Sequence, residues 1–154
     1  MTKIKDIHRW EQSVVTLLNL DGWTLNHTGE GSVSWDAEGK TPFPKSQDCV
    51  IEMKFRNKYY DTKIIEKAKF DKLIATGKVA LYFVNDPKGN YLFWLNNLKD
   101  LEVKKMYCPD TTLWGSKKVS KPCYLLKESD AAIVNINEED TELGIWDSYF
   151  KMKD

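Results

Sequence analysis

The chain has 154 residues, of which 42% are apolar and six are Trp, and its 23 basic side chains are matched by 23 acidic ones. This length suits one domain around one core, and the apolar share excludes an unfolded chain. No apolar run approaches the roughly 20 residues of a membrane span, and the balanced charge excludes a global polycation, so nucleic-acid contact requires local charge asymmetry.

The opening MTKIKDIHRW lacks the apolar stretch of a secretory signal, and Cys49, Cys108 and Cys123 form no CxxC pair. The expectation is a soluble cytoplasmic protein with reduced thiols and no zinc. Ile7, Trp10, Val14, Leu17 and Leu18 recur at helical spacing, which predicts an amphipathic helix over 5–20 closed by Gly22. Glu11 falls on or beside the apolar stripe of that helix. GWTLNHT (22–28) and SVSWD (32–36) read as a hairpin about Gly29-Glu30-Gly31, a glycine run too short to cradle phosphate, and EGKTPFPKSQ reads as a loop.

QDCVIEMKFR then predicts a strand over 48–56. Alternation puts Cys49, Ile51, Met53 and Phe55 on one face, and Asp48, Val50, Glu52, Lys54 and Arg56 on the other. A lone charge in so apolar a strand is costly unless it is paired or binds metal. Asp61 or Thr62 is expected to cap a helix running to about residue 76, with Gly77 ending it. VALYFV (79–84) has the continuous apolar character of a central strand covered on both faces, and the turn Asn85–Asn90 returns the chain as YLFWL (91–95). Beyond residue 98 the pattern weakens: KPCYLL and AAIVNI are compatible with strands, and LGIWDSYF with a short helix or a packing segment. With no repeat or linker, residues 1–154 are expected to form one domain, its core over 5–96 and residues 97–154 packed on it as an extension.

Charge is unevenly spread. Residues 54–72 hold seven basic side chains against three acidic, whereas residues 127–154 hold three against eight. The basic stretch surrounds the Glu52–Lys54 strand. Arg56, Lys58, Tyr59, Tyr60 and Lys63 are therefore candidates for contact with phosphates and bases, with corner packing as the alternative for the tyrosines. Lys117, Lys118 and Lys121 read as a solvated cluster, and His8 and His27 have no ligand spacing.

The order helix, three strands, helix, strands, with Glu-Met-Lys in the third strand and an Asp at the end of the second, resembles the PD-(D/E)xK nuclease superfamily, over roughly residues 5–96. The compact chain is similar to its Holliday-junction-resolvase-like and phage or mobile-element members. The resemblance implies an α/β, restriction-endonuclease-like core, a central mixed sheet flanked by helices in the order α-β-β-β-α-β. It also implies Mg²⁺, with Mn²⁺ able to substitute, bound by Asp36, Glu52, the Met53 carbonyl and a further ligand, Glu11. Lys54 matches the family lysine. Asp48 competes with Asp36 as the upstream acid but lies four residues from Glu52 on one strand, about 13 Å away, so Asp36 is preferred and Asp48 reads as a supporting residue. The chain departs from the family pattern at Trp35, where Pro is usual, and in lacking a Gln-rich motif on the following helix.

The activity so implied is metal-dependent hydrolysis of DNA, endonucleolytic and structure-specific, in which hard oxygen ligands hold the cation and Lys54 serves the attacking water or the phosphate. A homodimer would place two sites on two strands, with Trp114, Trp146, Tyr149 and Phe150 as interface candidates. The alternatives are an exonuclease or ribonuclease of this fold, or a non-catalytic nucleic-acid or protein-binding module that retains it.

Overall fold

The structure, a computed structural model, describes residues 4–29, 33–109 and 117–136. In chain order it contains α1 (Ile4–Leu20), β1 (Thr24–His27), β2 (Ala37–Lys40), β3 (Asp48–Phe55), β4 (Thr62–Glu66), α2 (Lys67–Ala75), β5 (Val79–Asp86), β6 (Gly89–Trp94), β7 (Val103–Pro109), β8 (Lys118–Lys127) and β9 (Ile133–Ile136). Six strands form a mixed sheet in the order β1-β2-β3-β5-β6-β9, and β4-β8-β7 form a second sheet. Only the β3–β5 pair of the large sheet is parallel, with Glu52 opposite Tyr82 and Lys54 opposite Val84.

Alternation along β3 divides the core. Cys49, Ile51 and Met53 meet Val14, Leu17 and Leu18 of α1 on one face, while Val50 joins Leu73 of α2, Ile65 of β4 and Leu126 of β8 on the other. β5 is buried from Val79 to Val84, as its unbroken apolar run predicts. Each large apolar side chain so buried contributes about 1.5–3 kcal/mol of transfer free energy, which makes β3 and β5 the energetic centre of the fold. All three cysteines are buried and free. Among the described residues no helix is long and apolar enough to cross a membrane.

Three expectations change. The second strand is Ala37–Lys40, which runs into the stretch read as loop, and Val33–Asp36 are bends. Gly39 belongs in this strand because an added Cβ would lie 1.9 Å from the Thr24 carbonyl oxygen, and only a bare Cα allows β1 so close. The stretch read as one helix over 61–76 begins as β4, whose Lys63 and Ile65 point inward, and becomes helical only at Lys67. Finally, β7 has no counterpart in the sequence reading. Among the described residues beyond 96, β8 pairs with β4, and β9 with β6. Trp114, Trp146, Tyr149, Phe150 and the segment LGIWDSYF lie outside the described residues.

Gly39→Ala is expected to lose about 2–4 kcal/mol of stability through this backbone clash, read as a lowered midpoint in chemical denaturation.

Candidate active site

Asp36 is the pivot. Its amide donates to the Ile51 carbonyl at 2.9 Å, and its Oδ2 accepts the Met53 amide at 2.8 Å. The bend before β2 is thereby fastened to β3 beside Glu52. Burial raises the Asp36 pKa, opposed by the Met53 hydrogen bond, by the charges of Lys69 and His27, and by a hydrogen bond with Glu11. Glu52 is pushed up to about 8, first by burial and then by the Asp36 charge. Its Oε1 is buried without a hydrogen bond, and the Lys69 ammonium stands 3.6 Å away.

Lys54 shares the Glu52 face of β3 and makes no hydrogen bond or ion pair among the described residues. Packed protein and then Arg56 lower its pKa, with Glu52 pulling the other way. Its side chain nonetheless remains exposed to water.

Glu11 is buried, as its place on the apolar stripe suggests, and its Oε1 meets His27 Nε2 at 2.8 Å. Gly29 completes this corner: a Cβ there would sit 2.5 Å from Glu11 Oε1 and 2.7 Å from His27 Nε2. Glu11, Asp36, Glu52, Met53 and Lys69 line a cleft of about 460 Å³, and Glu52, Lys54, Arg56 and Lys69 line a smaller one of about 90 Å³. A larger cleft, about 860 Å³, lies elsewhere, around Phe43 and Trp94. Asp48 lines that one and is bonded to Lys40 at 2.8 Å, which lowers its pKa. Asp36, rather than Asp48, is therefore the acid beside Glu52.

Among the described residues no group of three His, Cys, Asp or Glu side chains converges to hold a metal ion, and Glu11 is engaged by His27. Asp36 and Glu52 line the cleft together. Two carboxylates still suit Mg²⁺, which keeps several of its waters, and the buried oxygen of Glu52 without a hydrogen bond is what a hard cation would satisfy.

The proposed DNA-facing residues separate into two groups. Lys58 and Tyr60 are exposed, and Arg56 is half-buried at the edge of the small cleft. Lys63, by contrast, is buried, paired to Asp86 at 2.8 Å and lying over the Tyr59 and Tyr91 rings. Tyr59 donates to Glu128 at 2.5 Å, a bond that pushes its pKa up to about 12. Lys63 and Tyr59 thus hold the corner together, and they do not offer a surface to phosphate. Lys121 is bonded to Glu66 at 3.0 Å, whereas Lys117 and Lys118 are exposed. Sequence reasoning missed Lys69 and His27 as parts of the site.

No protein-family model and no curated protein matches the chain. Among solved structures it is similar to Hjc, a Holliday junction resolvase from the archaeal hyperthermophile Archaeoglobus fulgidus, with a TM-score of 0.51 and 14% identity over 83% of this chain and 88% of that one. This likeness shows the fold: α/β and restriction-endonuclease-like.

Two predictions follow from the charges. In chelator, wild-type protein takes up a proton at Glu52 on folding between its ordinary 4.5 and about 8, so stability falls as pH rises through that window. Glu52→Gln removes the effect. It is expected to match wild type near pH 4 and to exceed it by on the order of 2 kcal/mol at pH 8, read as a higher melting temperature. Lys63→Met leaves Asp86 buried without its cation, and a loss of about 3–5 kcal/mol in urea unfolding is expected.

Proposed function

We propose that the protein is a divalent-metal-dependent nuclease that cuts DNA internally, at branched or otherwise irregular structures. The observation that carries this reading is the hydrogen bond from the Met53 amide to Asp36. It sets a carboxylate from the bend before β2 against the strand that bears Glu52 and Lys54 on one face, within a fold similar to that of a Holliday junction resolvase.

Asp36 and Glu52, with the Met53 carbonyl, would hold Mg²⁺ or Mn²⁺, which supplies Lewis-acid stabilisation of the phosphate and a more acidic water. Lys54 orients the attacking water or neutralises a phosphate oxygen, a role suited to an ammonium with no hydrogen bond or ion pair among the described residues. Arg56, Lys58 and Tyr60 extend this surface along the backbone of the DNA. His27 keeps Glu11 turned toward the corner it shares with Asp36, where the two acids exchange a hydrogen bond. Cutting both strands of a junction requires two such sites, which a two-fold pair of copies supplies.

End-labelled four-way-junction, duplex and single-stranded DNA, incubated with Mg²⁺ or Mn²⁺, test this. Wild type is expected to cut the junction fastest, and Asp36→Asn, Glu52→Ala and Lys54→Ala to lose about 10²-fold or more in rate while remaining folded. Unchanged cleavage in Glu52→Ala would remove the site from the reaction. Binding without any cleavage would point to a module that recognises nucleic acid.

A further inference from the structure

Lys69 stands where the two small clefts meet. Asp36, Glu11 and Met53 line the cleft of about 460 Å³, while Lys54 and Arg56 line the one of about 90 Å³; among the described residues only Glu52 and Lys69 line both. The Lys69 side chain is 27% exposed, and its ammonium, 3.6 Å from Glu52 Oε1, donates to the Ser34 carbonyl at 3.0 Å. It thus bridges α2 to the bend that leads into Asp36. In this arrangement a lysine stands between the cleft of Asp36 and the cleft of Lys54, two groups that act on one phosphate in the reaction proposed above.

We infer that Lys69 is a tethered counter-cation. In the metal-free protein its ammonium takes the charge-balancing place beside Glu52; a divalent cation displaces it, and its withdrawal joins the two clefts into one. The inference rests on the reading of Asp36 and Glu52 as the metal-holding pair.

Electrostatics sets the exchange. Once Glu52 is ionised, its buried Oε1, which accepts no hydrogen bond, needs a compensating charge, and the Lys69 ammonium stands 3.6 Å from it. An ammonium and a divalent ion beside the same carboxylate oxygen repel one another twice as strongly as two unit charges at that distance. Both cannot stay on one carboxylate oxygen. The ion has twice the charge and suits hard oxygen ligands, whereas the lysine has a flexible four-carbon stem on which to retreat. Metal affinity is thereby lowered by whatever the Lys69–Glu52 contact contributes to the metal-free state.

Calorimetric titration of the DNA-free protein with Mn²⁺, in wild type, Lys69→Met, Lys69→Arg and Glu52→Gln, tests this apart from activity. Lys69→Met is expected to bind Mn²⁺ about tenfold more tightly than wild type, Lys69→Arg to stay near wild type, and Glu52→Gln to lose binding. Equal or weaker binding by a folded Lys69→Met, with Glu52→Gln still deficient, overturns the tethered-cation role and leaves the metal pair standing. No Mn²⁺ binding by either wild type or Lys69→Met, or binding that Glu52→Gln does not disturb, overturns both. A second measurement needs no variant: reductive methylation of Lys69, followed by peptide mass spectrometry, is expected to speed up when Mg²⁺ is added. An unchanged or slower rate counts against displacement.

Discussion

Seven residue pairs of parallel ladder join β3 to β5, and the whole Glu52 face depends on that strand direction. Parallel neighbours cannot be linked by a tight turn; the chain must travel back the length of the strand before it can pair again. Here the return path runs through residues 56–78. It first makes β4, which recruits β8 and through it β7, and then α2, which lays Leu73 into the core and Lys69 beside Glu52. Had β5 followed through a hairpin, this face would lie open, and Glu52 would sit in water with an unremarkable affinity for its proton.

The roof so made is what gives the carboxylates their character. The acids that line the cleft are fixed by partners in the backbone or the core: Asp36 by the Met53 amide, Glu11 by His27, and Glu52 by its place on a central strand. Burial then makes the crowding expensive, and the protein meets it by keeping protons and by bringing in an ammonium. Such a site is electrostatically unfinished. Cations satisfy it and anions do not, unless a cation arrives with them.

Much of this was legible in residues whose partners lie nearby in sequence or whose pattern is periodic. The stripe of α1, the alternation of β3 and the apolar run of β5 are properties of the segments themselves, and they were read correctly. β4 was not, because Lys63 at an inward position disguises a strand as a helix start; its justification, Asp86, is 23 residues away. β2 was displaced for a similar reason. Gly39 looks like a loop residue until Thr24 is seen packed against its Cα, and Trp35 is fixed by donating to Glu38 at 2.7 Å. His27 and Lys69 carry no motif of their own, and they join the site through contacts distant in sequence, to Glu11 and Glu52, 16 and 17 residues away.

The walls of the cleft differ in how firmly they are mounted. Glu52 and Lys54 belong to a strand clamped by neighbours on both sides and by packed cores above and below. Lys69 belongs to a helix of nine residues with a single buried side chain, Leu73, and one aromatic edge contact, Phe70 against Tyr124. Under load the second wall yields first, since sparse buried contact is what makes an element easy to shift. The width of the cleft is therefore a mechanical variable set by one short helix, while the strand opposite serves as the fixed jaw.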